Sequence, residues 1–316
     1  GNTDFVQWQG HDFSFRGMFG YEAACISGAA HLLSFTGTDT IPAIDFHEKY
    51  YGADADKELI GASVPATEHS VMCMGTKENE IATFERLICE IYPNGIVSVV
   101  SDTWDFWKVI TQYLPQLKEK ILARNGKMVI RPDSGDPVEI ICGGKYAEIG
   151  TPEYKGAIEC MWEVFGGTIT EKGYKLLDGH IGLIYGDSIT IERCNQICQQ
   201  LKDKGFCSFN VVLGIGSFTY QYVTRDTYGF AVKATYGEVN GERRAIFKTP
   251  QTDDGTKNSA KGLIAIYRSE TGNGFEMYDE VTWEEVNSCE LKTVFKDGKI
   301  ENEQTLSQIR ELLENF

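Results

Sequence analysis

Four times along this chain a short apolar run rich in β-branched residues ends in a polar or glycine residue and gives way to a helical pattern. Residues 96–102 (IVSVVSD) end at Asp102, and a helical stretch with a wide apolar stripe follows at about 103–122. Residues 128–130 (MVI) run into RPDSGDP at 131–137, with a helix expected around 153–165. HIGLIYGDS (180–188) precedes a helical segment at 189–203, and FNVVLGIGS (209–217) leads into another near 218–224. Apolar strands alternating with helices are the pattern of a parallel sheet buried on both faces. An α/β fold follows, and the repetition favours a closed barrel over an open sheet. An earlier segment, 32–35 before GTDT at 37–40, adds a further strand candidate.

From about residue 228 the texture changes. FAVKATYGEVNGERRAIFKT and KGLIAIYRSETGNGFEMYD alternate polar and apolar residues around Asn-Gly and Thr-Gly-Asn-Gly, which predicts antiparallel hairpins. Residues 304–315 have the spacing of a final amphipathic helix. The expected organisation is therefore an α/β barrel over 1–227, with an antiparallel β region and C-terminal helix over 228–316 packed on it.

Composition narrows the function classes. A formal charge of −16 over 316 residues argues against general nucleic-acid binding, which needs a basic face. A small phosphorylated substrate stays compatible, because a few Arg, Lys and backbone N–H groups make a pocket locally positive. No run of about 18 apolar residues marks a membrane span, and residues 1–20 lack a signal-peptide pattern. The nine cysteines lack paired metal spacing and read as reduced thiols of a cytoplasmic protein. Cys194 and Cys198 fall one helical turn apart, but no His or second Cys pair accompanies them. The chain opens on Gly1 rather than Met, as a processed or truncated chain would.

The strand ends hold the candidate chemistry: Asp102, Arg131 and Asp133, Gly186 and Asp187, Gly214 and Gly216. In α/β sheets and barrels ligands bind at the C-terminal ends of strands, so one shared site is expected. Arg131 and Asp133 lie two residues apart, on one side of a strand. Ser134-Gly135 then opens a turn whose N–H groups can face an anion. The same pair also suits an internal ion pair. Asp187 either binds a ligand or caps the helix that follows. GIGS (214–217) allows a phosphate to approach the backbone, or is simply a tight turn. His69, beside Glu68 in SVPATEHS, is either a reactive group or a structural histidine. GHDFSFRG (10–17) offers Phe13 for stacking and Arg16 for charge, although core packing is the default for a Phe.

Taken in order, HDFSFRG, HLLSFTGTDT, SVPATEHS, VSVVSD, IRPDSGDP, YGDS, GIGS followed by TRD, and LKTVFKDGKI resemble the nicotinamide phosphoribosyltransferases, from about residue 10 to beyond 300. The resemblance implies an irregular α/β barrel that forms homodimers with active sites at the subunit interface. It implies transfer of the ribose phosphate of phosphoribosyl pyrophosphate to nicotinamide, giving nicotinamide mononucleotide and pyrophosphate, with Mg²⁺ required. By the same resemblance Phe13 stacks on the pyridine ring, Asp39 accepts a hydrogen bond from the carboxamide, and Ser98 lies close to that group. The negative charge of Asp39 would repel the carboxylate of nicotinate. Arg131 matches the arginine near base and ribose. Asp102 and Asp133 match carboxylates around the ribose and the metal-bound pyrophosphate. Gly186 and Asp187 match the pair at the ribose and its phosphate, and Gly216 with Ser217 the phosphate loop. Arg225, Lys233, Lys248 and Lys257 match basic residues for phosphate and pyrophosphate. His69 matches the histidine that ATP phosphorylates, coupling ATP hydrolysis to substrate affinity.

Two departures stand out. Ile215 and Ser217 occupy a loop that is richer in glycine in the family. The family's N-terminal portion, which completes the fold and sends a second aromatic across the dimer, has no counterpart in these residues and would come from a separate segment. The competing readings are a nicotinate phosphoribosyltransferase on the same barrel, against which Asp39 argues, and a non-catalytic truncated barrel that binds ligand or partner only.

Overall fold

The computed structural model describes residues 3–186, 188–221, 227, 229, 231–249, 259–272, 274–304 and 312. The chain divides into two compact units, Gly1–Lys233 with Lys248–Asn258, and Ala234–Phe247 with Ser259–Phe316.

Eight strands belong to the first unit: β1 (Gly10–Asp12), β2 (Gly37–Thr38), β3 (Val97–Val100), β4 (Met128–Arg131), β5 (Gly167–Ile169), β6 (Lys175–Leu177), β7 (Ile181–Tyr185) and β8 (Val211–Ile215). Six of them form one parallel sheet in the order β2-β1-β8-β7-β4-β3, while β5 and β6 make a separate hairpin. The sheet curls until a single irregular segment meets both of its edges. Ala62 pairs with Gly37 beside β2, and Ala66 pairs with Ser98 in β3, both in parallel. The Ala62 N–H donates to the Thr36 carbonyl at 2.8 Å, and the Ser98 N–H donates to the Pro65 carbonyl at 2.9 Å. The ring closes through residues that no propensity marks as a strand, which makes the barrel irregular.

Alternation along the strands sorts the two faces. Val97, Val99, Met128, Ile130, Ile181, Leu183, Val211 and Leu213 join the apolar core against the surrounding helices. The intervening residues face the ring interior, where polar or small residues such as His11, Ser98, Arg131, Gly182 and Gly214 stand among Val129, Ile184 and Val212. Leu114, Leu117, Ile121, Ile141, Met161, Ile197 and Leu201 complete the core from the helical side, nearly all of them under 3% exposed.

The helix expected at 103–122 is three consecutive pieces: Phe106–Lys108, a π turn Val109–Tyr113, and Leu114–Leu122. Pro115 explains the wide turn, since it lacks an N–H and its ring crowds the carbonyl four residues back. The helical stretch around 153–165 is Pro152–Lys155 and Ala157–Phe165, broken at Gly156. Thr190 caps the helix Ile191–Asp203, its hydroxyl accepting from the Arg193 N–H. The described helix after β8 is short, Ser217–Tyr220. Residues 32–35 are not a strand: Leu32 ends the helix Tyr21–His31, and the strand is β2. No helix among the described residues is long and apolar enough to cross a membrane.

In the second unit β9 (Tyr236–Val239) pairs antiparallel with β10 (Glu242–Ala245), and β11 (Ala265–Arg268) with β12 (Phe275–Tyr278), as the Asn-Gly and Thr-Gly-Asn-Gly signals predict. Asn240 and Gly241 are both left-handed (φ 53° and 80°), the geometry that lets two residues join strands of natural twist. A third hairpin, β13 (Phe295–Lys296) with β14 (Lys299–Ile300), turns on Asp297-Gly298. Thr282 and Glu285 form a reciprocal capping box at the helix Trp283–Ser288. The helix expected over 304–315 falls, apart from residues 304 and 312, outside the described residues.

Candidate active site

The strand ends of the barrel converge on a cleft of about 550 Å³, within the range of small-molecule sites. Phe13 follows β1, Asp39 follows β2, Glu68 follows the closing segment, Arg131 and Asp133 end β4, and Gly186 follows β7; all line the cleft, together with Arg16. Backbone bonds fix the first two. The Phe13 N–H donates to the Ile215 carbonyl at 2.9 Å, and the Asp39 N–H to the Asp12 carbonyl at 2.8 Å. Phe15 and Tyr21 give the cleft an exposed aromatic side, their rings edge-to-face at 6.3 Å.

Asp39 is held by two donors on one oxygen. His11 Nε2 lies 2.9 Å and Ser63 Oγ 2.7 Å from Asp39 Oδ1. Partial burial works to raise the Asp39 carboxyl, but these bonds and the nearby charges of His11 and Arg131 outweigh it and hold it below its usual value. Asp39 is therefore a carboxylate at neutral pH.

Arg131 is 5% exposed. Its guanidinium donates to the Thr67 carbonyl at 2.7 Å and pairs with Glu68 and Asp133, each at 3.5 Å. The Arg131–Asp133 ion pair that the strand spacing allows is thus present, at the floor of the cleft. Gly186 has a steric reason: a Cβ there would stand 2.0 Å from Asp133 Oδ1. A glycine lets the end of β7 lie beside Asp133 without displacing its carboxylate.

Behind the cleft lies a buried network around Asp102, which is 1% exposed. Asp102 Oδ1 meets His69 Nε2 at 3.0 Å; Oδ2 accepts from Ser134 Oγ at 2.6 Å and from the Asp133 N–H at 3.0 Å. Burial opposes the charge, but the hydrogen bond and charge of His69, with the donors from Ser134 and Asp133, hold the Asp102 carboxyl down, to about 2. The Asp133 N–H and the Ser134 hydroxyl, which could have faced an external anion, are taken up by an internal one.

The remaining expected residues divide into three groups. Ser98 is buried two residues below Val100 on the ring interior and is not among the residues lining the cleft; its hydroxyl has no hydrogen-bond partner. Gly216 and Ser217 start the short helix after β8, and Gln221 beyond it donates to the Gly17 carbonyl at 3.1 Å, next to Arg16. Lys233 and Lys248 stand where the chain leaves and re-enters the first unit, and neither is among the cleft-lining residues. Asp187, Arg225 and Lys257 lie outside the described residues. His11 and Ser63, which sequence reasoning missed as site residues, sit 28 and 24 residues from the Asp39 they bind. The only local signal was a histidine alternating with Phe13 along one strand.

Among the described residues no three His, Cys, Asp or Glu side chains gather as a metal site, and none of the nine cysteines is in a disulfide. An aromatic face, the carboxylates of Asp39, Glu68 and Asp133 and the guanidinium groups of Arg16 and Arg131 suit a flat polar ring joined to a phosphorylated sugar. Sequence comparison decides between such ligands' families. The nicotinate phosphoribosyltransferase (NAPRTase) family model matches residues 8–314. The chain belongs to this family. A relative from Acinetobacter baylyi named nicotinamide phosphoribosyltransferase is 56% identical over 311 residues, which are 96% of this chain and 61% of the relative. Proteins of the same name from Mycoplasma pneumoniae and Xanthomonas campestris pv. campestris are 42% and 33% identical, over 84% and 95% of this chain. The chain spans about three fifths of the length of these relatives, 57–61%. The family match spans nearly the whole of this chain and includes every residue that lines the cleft.

Proposed function

We propose that this chain carries the base and phosphoribosyl sites of an enzyme that transfers the 5-phosphoribosyl group of phosphoribosyl pyrophosphate to nicotinamide. The observation that carries the reading is the convergence of Phe13, Asp39, Arg131 and Asp133 on one cleft, in a chain whose relatives bear that name. The pyridine nitrogen attacks the anomeric carbon with its own lone pair as the bond to pyrophosphate breaks, so no proton transfer is needed. Phe13 supplies the ring face, and Asp39 accepts from the carboxamide and repels nicotinate. Asp102 and Asp133 stabilise positive charge developing on the ribosyl ring, while the Arg131 guanidinium orients base and ribose. Asp133 offers one carboxylate beside the Arg131 guanidinium, which fits a Mg²⁺ ion held mainly by the substrate's pyrophosphate and water. When bound, that ion neutralises charge on the leaving group.

His69 is the acceptor of the ATP γ-phosphoryl group in this proposal, its ring oriented by Asp102 at 3.0 Å. A second copy of the chain covers the exposed aromatic side at Phe15 and Tyr21, and an N-terminal segment completes the base site. The test is to supply phosphoribosyl pyrophosphate, Mg²⁺ and ATP with nicotinamide or nicotinate, and to read mononucleotide by mass. Nicotinamide mononucleotide is expected, and Asp39→Ser should widen acceptance to nicotinate. Product from nicotinate alone, or an unchanged preference in Asp39→Ser, would overturn the reading of the base site.

A further inference from the structure

Both walls of the candidate base slot rest on one side chain. The His11 imidazole lies between Phe13 and Asp39, its ring centroid 4.4 Å from that of Phe13 with the planes 31° apart. From the same ring, Nε2 reaches Asp39 Oδ1 at 2.9 Å. The ring has little room to move. It is buried, and a Cβ on Gly37 of the neighbouring strand would stand 2.7 Å from His11 Nδ1. Ser63, on the segment that closes the barrel, donates to the same Oδ1 at 2.7 Å. Two donors on one oxygen fix the carboxylate's rotation and leave Oδ2 to accept from a ligand.

We propose that His11 is a positioning residue that sets base specificity: it pins Asp39 through Oδ1 and backs the Phe13 ring, so that stacking face and carboxamide acceptor keep one fixed relation. This rests on the reading of Asp39 as the carboxamide acceptor. For the bond to form, His11 Nε2 carries a proton and donates it to the carboxylate. The donor keeps Asp39 ionised and oriented, and ionisation is what excludes a carboxylate substrate. Without the donor, Asp39 rotates, and its ability to tell an amide from an acid falls.

Two substitutions separate the functions of the ring. His11→Phe keeps an aromatic body against Phe13 and removes the donor; His11→Gln keeps an N–H donor near Nε2 and removes the ring. The first readout is the titration of the Asp39 carboxyl by ¹³C NMR, which needs no ligand. The midpoint should rise in His11→Phe and return toward the parent in His11→Gln; an unchanged midpoint in His11→Phe would overturn the proposal. The second readout is the ratio of nicotinamide to nicotinate kcat/KM. It should drop about tenfold or more in His11→Phe, the scale of a lost hydrogen bond to a charged group, with the KM for phosphoribosyl pyrophosphate unchanged. His11→Gln should restore most of it, and equal loss in both variants would overturn the donor's role. Asp39→Ser is the control for the underlying reading. If it leaves the ratio unchanged while the NMR result stands, the base-site assignment fails and the His11–Asp39 pairing does not.

Discussion

At the scale of single residues, two buried carboxyls in this fold behave oppositely, and their surroundings say why. Asp102 has three donors, so its charge is stabilised inside the protein. Its contribution to stability is complete above the ordinary carboxylate range and is lost as pH falls toward 2. Glu80, 1% exposed at the start of the helix Glu80–Arg86, has no hydrogen-bond partner for Oε1. Burial pushes its carboxyl up to about 7, against the pull of Lys108 and Lys77 and with the help of Asp105 and Asp102. Between its ordinary value of 4.5 and about 7, the folded protein keeps a proton that the unfolded chain releases. Stability must therefore fall as pH rises through that window and level off above it. Glu80→Gln removes this loss, and should gain on the order of 1–3 kcal/mol over the parent by pH 8, with little difference at pH 4. Urea unfolding of both proteins from pH 4 to 8 checks it, and parallel curves would contradict the argument.

At the scale of elements, legibility followed hydrophobic content. β3, β4, β7 and β8 are apolar runs of four or five residues, and each lies within its expected segment. β1 and β2 are three and two residues long, and β1 buries His and Asp instead of valines. No alternation of apolar residues could announce them. The closing segment pairs with the sheet only through isolated bridges at Ala62 and Ala66, below any strand signal. The hairpins of the second unit are readable because Asn-Gly demands one turn geometry, and Asp297-Gly298 and Thr282-x-x-Glu285 carry comparable signals for the third hairpin and the capping box. In the site, the residue types could be named from ordered motifs, while partnerships such as His11 with Asp39 or Asp102 with Ser134 could not, since folding alone brings them together. One element-level junction is directly testable. Gly186→Ala sets a methyl against Asp133 at the ends of β7 and β4, so Asp133 must rotate out of the cleft. The expected result is at least about tenfold weaker binding of phosphoribosyl pyrophosphate with a Tm within a few degrees of the parent, because a flexible side chain can yield at modest cost. Unchanged binding, by calorimetry, would remove Asp133 from the substrate site.

At the scale of the molecule, the ring has one weak stave. The closing segment is held by an isolated bridge on each side, whereas β7 and β8 are flanked by continuous ladders. Hydrogen exchange should find the amides of Ala62 and Ser98 opening before those of Leu183 and Leu213. Equal protection would mean that the seam is as strong as the sheet. The sheet order carries a different consequence, for the chain as it is made. β1 takes its neighbour from β8, with Gly10 opposite Leu213, so β1 waits some two hundred residues for its partner. At ordinary elongation rates that wait lasts about 10–40 s. Through it, a nascent chain presents β1 and β2 with open edges, and His11, Phe13 and Asp39 stay exposed to the ribosome surface and to whatever chaperone meets them. The walls of the base slot are made well before the strand that seats them.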